Sequence, residues 1–243
     1  MDINYNIFFF MTIRIITGNI WNSKAQAIVN TVNCEGVMGA GIALECRLRF
    51  PEMFRKYKEI CEKGLLQPGL LLLHKNNQRW ILNFPTKTSW KLPSKEEYLH
   101  TGLIKFKNTY KEKGITSVAF PLLGASHGGL TPEKSIEIMK KHLEEIDIDI
   151  EIYKYDPKAN DDLYDEIKQF LLNHESEIDL LSKETKIQKQ YLETLLEGMK
   201  FNPSICQVNQ LIKLKGVGPA TLEKLFAYKQ NAKQKESQSG FDF

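Results

Sequence analysis

The chain has 243 residues, 42% of them hydrophobic and 26% charged, enough to bury a sizeable core and too apolar for wholesale disorder. Its formal net charge of +3 argues for no partner by itself, and no run approaches the roughly 18 apolar residues of a membrane helix. Four cysteines, Cys34, Cys46, Cys61 and Cys206, show neither C-x-x-C spacing nor the density of a secreted scaffold, so free thiols in a cytoplasmic protein are expected.

In chain order, the apolar run over residues 7–11 is too short to span a bilayer and lacks the flanks of a signal peptide. Met11 directly precedes the first convincing strand, which leaves the start open between Met1 and Met11. Residues 12–16, 27–30, 70–74, 79–84, 117–122 and 148–153 read as strands, several apolar enough to be buried on both faces. Ser94-Lys95-Glu96-Glu97 reads as a capping box opening a helix, with Leu99, Leu103, Phe106 and Tyr110 along one side. Thr131-Pro132 reads as an N-cap followed by proline at the first helical position, with Ile136, Met139, Leu143 and Ile146 as the apolar stripe. This alternation predicts an α/β fold whose mixed, mostly parallel sheet is covered by helices on both faces. Residues 157–230 hold only helical patterns. The charge is acidic from Asp156 to about Glu197 and basic from Lys200 onward, which places a boundary near the Asp156-Pro157 turn. The expected division is 11–156 for the α/β domain, 157–233 for a small helical domain and 234–243 for a polar, flexible tail.

Three segments follow strands, where ligand sites of open α/β sheets gather. Residues 32–43 carry three glycines and run into a helix, so backbone amides and a helix start can approach an anion. Residues 123–130 are again glycine-rich and again precede a helix. Two such loops facing each other make a clamp for a pyrophosphate. The third segment, 83–90, holds Lys87 at the end of a strand. A lysine there is commonly a solvated charge. In the sharper reading it is a nucleophile toward an aldehyde-equivalent sugar carbon, through an imine. That requires a lowered pKa, which partial burial beside Phe84 and Trp90 would supply.

Gly18-Asn19-Ile20, Ala27-Ile28-Val29-Asn30-Thr31-Val32-Asn33 and the loops 36–43 and 124–130 together resemble the macrodomain, an ADP-ribose-binding α/β/α fold. Val29-Asn30-Thr31-Val32-Asn33, Gly36-Val37-Met38-Gly39 and Asn83-Phe84-Pro85-Thr86-Lys87 are similar to its DarG-like branch. Those proteins remove ADP-ribose from DNA bases, chiefly thymine, and so oppose DarT toxins. The resemblance covers residues 12–156 and implies the following roles. Asn19, at a position where many macrodomains carry aspartate, would read the adenine edge, and Ile20 would pack on the base. Asn33 would hold the distal ribose beside the breaking linkage, and with Lys87, which matches the branch's catalytic lysine, it forms the expected catalytic pair. Gly39, Ala40, Gly41 and Ile42 would offer backbone amides to the phosphates and distal ribose. Gly124, Ala125, Ser126, His127, Gly128, Gly129 and Leu130 would hold the pyrophosphate from the other side. Tyr153 or Tyr155 would lie against the adenine.

The sequence departs from related enzymes that act on proteins, which use an aspartate in the second loop. No acid lies between Gly124 and Leu130, as in DarG-like sequences, while Ser126 replaces a usual glycine and His127 an asparagine. Activation of water therefore has Glu35 and His127 as its candidates, each otherwise a solvated polar group. Cys34, with no neighbouring base in sequence, reads as packing. The histidines show no ligand spacing, so no metal is expected and no cofactor is implied.

Residues 211–225 resemble a helix-hairpin-helix. The hairpin glycines Gly216 and Gly218, flanked by Lys213, Lys215 and Lys224, would grip a nucleic-acid phosphate without reading sequence. The implied partners are ADP-ribosylated DNA, ADP-ribose and a DarT-like toxin, with no membrane. Alternatives to a hydrolase acting on nucleic acid are a pure ADP-ribose reader, a toxin-binding antitoxin, and an enzyme for O-acetyl-ADP-ribose or ADP-ribose phosphate.

Overall fold

A computed structural model describes residues 13–239, with side chains through residue 231. Thr12, expected in the first strand, and the alternative starts Met1 and Met11 lie outside the described residues, as do residues 240–243 of the expected tail. The sheet comprises β1 (Ile13–Gly18), β2 (Ala27–Val32), β3 (Leu72–His74), β4 (Trp80–Pro85), β5 (Ser117–Pro121) and β6 (Asp149–Tyr155). Their order is β1-β6-β5-β2-β4-β3. Every neighbouring pair is parallel except β3 with β4. The sheet is thus mixed and mostly parallel, as the alternating pattern predicts.

Position in the sheet follows side-chain chemistry. Central β2 is buried throughout except at half-buried Thr31, and β4 is buried from Ile81 to Pro85, the pattern of parallel strands enclosed on both faces. β1 lies at the edge, with Ile15 exposed. The polar interruptions of β2 and β4 lie opposite one another. Asn30 Nδ2 donates to Asn83 Oδ1 at 2.8 Å, so the two amides answer each other inside the sheet.

Two compact units divide the chain. The first runs up to Glu35 and resumes over Gly64–Tyr155. Its core receives α3 (Glu96–Lys113) and α4 (Pro132–Leu143), with Leu99, Leu103, Phe106, Tyr110, Ile138, Met139 and Leu143 buried. Gly102 leaves room for the Phe84 ring against α3, because a Cβ there would come within 2.2 Å of the ring. The start of α3 differs from the capping-box expectation: Lys95 is the N-cap and makes no side-chain capping bond. Ser94 N instead donates to Gly128 O at 2.9 Å, which fixes Ser94 outside the helix. At α4, Thr131 accepts from Lys134 N and Pro132 follows, as expected. Its buried face runs through Ile138 rather than Ile136, which is half-buried.

The second unit takes Gly36–Lys63 and the chain from Asp156 onward. It holds α1 (Gly41–Arg49), α2 (Pro51–Glu62), α5 (Asp162–Asn173), α6 (Ile178–Thr185), α7 (Lys189–Phe201) and α8 (Pro219–Ser239). Leu44 and Leu48 of α1 enter one core with Ile167, Leu171, Leu192, Leu211 and Leu222. A buried carboxylate organises that core. Asp161 accepts from Leu163 N at 3.0 Å and Val208 N at 2.8 Å, and pairs with Arg49 at 3.4 Å. Burial pushes its pKa up, while these donors pull it back. Thus α1 and α2, which lie within residues 11–156 along the chain, group with the helices that follow Asp156. α8 continues through Ser239, past Gln234 where the tail was expected to begin.

Candidate active site

Because β1, β6, β5, β2 and β4 run parallel, their C-terminal ends share one rim of the sheet, where α/β proteins hold ligands. Register aligns Gly18 with Tyr155, Tyr153 with Pro121, and Val32 with Pro85. Asn19, Asn33, Lys87, the 122–130 loop and Tyr155 therefore all leave that rim or lie next to it.

Lys87 follows β4 by two residues. Thr86 before it is buried and donates its N–H to Val32 O at 2.9 Å, which keeps the chain against the end of β2. The Lys87 amine donates to the His127 carbonyl in the glycine loop. Burial lowers the lysine pKa from its ordinary value, since an ammonium loses hydration there. Of the two aromatic residues expected beside it, Phe84 is fully buried and Trp90 is 53% exposed. The turn after Lys87 is pinned to residues 34 and 35 by hydrogen bonds.

Those pins define Cys34 and Glu35. Cys34 N donates to Thr88 O at 3.1 Å, and its thiol donates to Lys87 O at 3.4 Å. One Glu35 carboxylate oxygen accepts from Ser89 Oγ at 2.9 Å and from Trp90 N at 3.1 Å. Asn33 is buried, and its Oδ1 accepts from Glu35 N at 2.9 Å. The three residues after β2 thus brace both Lys87 and one another.

The 122–130 loop is built around a 3-10 turn, Ser126–Gly128. Gly124 adopts φ +68, and a Cβ there would meet Leu130 Cδ1 at 2.8 Å. A Cβ on Gly128 would come within 2.5 Å of Ser94 Oγ. Hydrogen bonds inside the loop occupy the amides of Ala125, Gly128, Gly129 and Leu130. Among the described residues, those of Ser126 and His127 carry no such bond, and both residues are exposed. Ser94, which the motif reading placed in a cap, lies buried against this loop. Its Oγ has no hydrogen-bond partner among the described residues. No local signal in the sequence marks that contact.

At the β1 end, Asn19 and Ile20 are buried, and Asn19 Oδ1 accepts from Trp21 N at 3.0 Å. Tyr153 is buried, its pKa raised first by burial, with Glu151 adding to the rise and a Ser23 hydrogen bond opposing it. Tyr155 is 52% exposed at the strand end.

In the second unit, Gly39, Ala40, Gly41 and Ile42 lead into α1 and are half-buried, with Ala40 as N-cap and no side-chain cap. The first-turn amides of a helix have no partner within it. Lys213 and Lys215 are exposed. Gly216 adopts φ +80, and a Cβ there would lie 2.3 Å from the Tyr191 ring. Gly218 O accepts from Thr221 N and Leu222 N at the start of α8. Lys224 donates to Lys186 O at 2.9 Å. Among the described residues no cluster of three or more potential metal ligands occurs, and no helix is long and apolar enough to cross a membrane.

Residues 29–139 match the family model described as Macro domain. The chain is 39% identical over 142 residues to the DNA ADP-ribosyl glycohydrolase of Mycobacterium tuberculosis, a stretch covering 56% of this chain and 40% of that protein. It therefore spans about two fifths of that relative's length. Among solved structures it is similar to the macrodomain of Mycobacterium tuberculosis DarG, at 39% identity and a TM-score of 0.57, covering 58% of this chain and 97% of that one. It is also similar to Thermosipho africanus DarTG in complex with ADP-ribose, at 31% identity and a TM-score of 0.55, covering 60% of this chain and 42% of that one.

Proposed function

The chain belongs to the macrodomain family, on its DarG-like branch, and from that premise we propose that it is a cytoplasmic hydrolase that removes ADP-ribose from a modified DNA base, chiefly thymine, reversing a DarT-like toxin. One observation carries this reading. Lys87, an amine whose charged form is disfavoured by burial, lies at the rim of the parallel strands and contacts the glycine loop through the His127 carbonyl.

In this reading the neutral Lys87 amine attacks the anomeric carbon of the distal ribose. A carbon–nitrogen bond forms there as the bond to the base breaks. The base leaves with the electron pair and takes the proton that the amine sheds. The sugar–lysine adduct opens to an iminium, water adds to it, and loss of the amine restores Lys87 and releases ADP-ribose. Asn33, oriented by the Glu35 amide, holds the distal ribose. The loop amides of Ser126 and His127 take the phosphates. Asn19 and Ile20 hold the adenine. Of the two tyrosines, exposed Tyr155 offers the ring surface that buried Tyr153 does not. The hairpin at Gly216 and Gly218, with Lys213 and Lys215, holds the surrounding DNA through its phosphates.

The deciding experiment measures release of ADP-ribose from an ADP-ribosylated thymidine oligonucleotide by the wild type and by Lys87→Ala. A drop of at least a hundredfold, with ADP-ribose affinity retained, is the expected result. Tight ADP-ribose binding by both proteins with release by neither would overturn the thymidine hydrolase reading and leave a reader or a different linkage.

A further inference from the structure

Resting on the glycohydrolase reading, we propose that Trp90, together with Lys91, forms a stacking platform for an unpaired nucleobase next to the one that carries the ADP-ribose. Trp90 is 53% exposed, and Leu92 beside it is equally so. The fold does not need this indole for its core, so its exposure calls for another explanation.

The turn that carries the ring is braced by hydrogen bonds. Ser89 Oγ and Trp90 N both donate to Glu35, Thr88 O accepts from Cys34 N, and Leu92 N donates to Ser89 O at 3.2 Å. An aromatic side chain on a braced turn offers large contact area at little cost in conformational entropy. Its position is set by Lys87, three residues earlier, a length of chain that spans at most about 11 Å. The indole therefore lies within reach of a nucleotide adjoining the one whose distal ribose meets the Lys87 amine.

Charge selects the occupant. Residues 86–95 contain Lys87, Lys91 and Lys95 and no acid, so three cations stand against the one carboxylate, Glu35, that braces the turn. Lys91 Nζ lies 5.4 Å from the Trp90 ring centroid, and Lys95 Nζ lies 5.6 Å from that of Tyr98. Aromatic rings interleaved with cations are the composition of surfaces that bind single strands, where bases stack and phosphates are neutralised. Stacking tolerates any base, so the platform adds affinity for the strand without reading its sequence.

The test compares wild type, Trp90→Ala and Trp90→Phe on two substrates with the same linkage, an ADP-ribosylated thymidine oligonucleotide and ADP-ribosyl-thymidine alone. Trp90→Ala is expected to raise KM for the oligonucleotide by about tenfold. Its kcat, its kinetics on the nucleoside and its ADP-ribose affinity should stay unchanged, and Trp90→Phe should restore most of the loss. An equal loss on both substrates would make Trp90 a brace of the turn, and no loss on either would make it bare surface or a protein contact. Both results overturn the platform. A second arm measures binding of the unmodified single-stranded oligonucleotide, where weaker binding by Trp90→Ala supports the platform and equal binding overturns it. That arm decides even if the wild type releases ADP-ribose from neither substrate, a result that would overturn the glycohydrolase reading instead.

Discussion

On the proposed mechanism Lys87 must be neutral when it attacks, yet an ordinary lysine is an ammonium at physiological pH. Burial is the cause that lowers its pKa, and the direction has a kinetic consequence. Below the pKa the amine is protonated and inert; above it the amine is a nucleophile. The value of kcat/KM should therefore rise with pH and level off, with the midpoint below the ordinary lysine value of about 10.4. A profile that is flat from about pH 6 to pH 9 would remove the free-amine step. The neighbours of Lys87 also sort themselves by geometry. Glu35, a sequence candidate for activating water, spends one carboxylate oxygen on Ser89 and Trp90. Cys34, read from sequence as packing, also ties its N–H and thiol to the lysine turn. The segments that meet at this rim were legible, because they form ordered motifs. Their bracing partners were not, because a bond from Glu35 to Ser89 spans 54 positions of sequence.

The elements show the same division between local and distant causes. The strands and the Thr131-Pro132 start of α4 were legible, since β-branched runs and a cap followed by proline act within a few residues. The start of α3 was not, since Ser94 is captured by Gly128, far along the chain. The glycine loop tests this contact directly. Gly128→Ala would press a methyl group onto Ser94 Oγ at 2.5 Å, at a cost of about 1–3 kcal/mol. Ser94→Ala alone should be nearly neutral, because its hydroxyl has no hydrogen-bond partner to lose among the described residues. Combining the two should recover part of the Gly128→Ala loss in a denaturant-unfolding cycle. Strict additivity would show that the two residues do not meet as described.

Across the whole molecule, charge and turn signals divide the chain near Asp156, but nothing in them announces the grouping of α1 and α2 with the later helices. Apolar residues such as Leu44 and Leu48 announce that they will be buried, but not in which core. A chain ending at Asp156 keeps these leucines and loses Ile167, Leu171, Leu192 and Leu222, with which they pack. Exposing each leucine costs roughly 1.5–3 kcal/mol. The truncated chain should melt at a lower temperature than the whole and bind a hydrophobic dye, and an unchanged melting temperature would contradict the shared core. The same arrangement sets a timetable for synthesis. Leu48 is made about 120 residues before Ile167, and at roughly 5–20 residues per second the interval is on the order of ten seconds. Until then α1, with the glycine segment that opens it, has no core to dock into. A nascent chain thus completes its sheet before the core that receives α1 is made, and α1 docks late in translation.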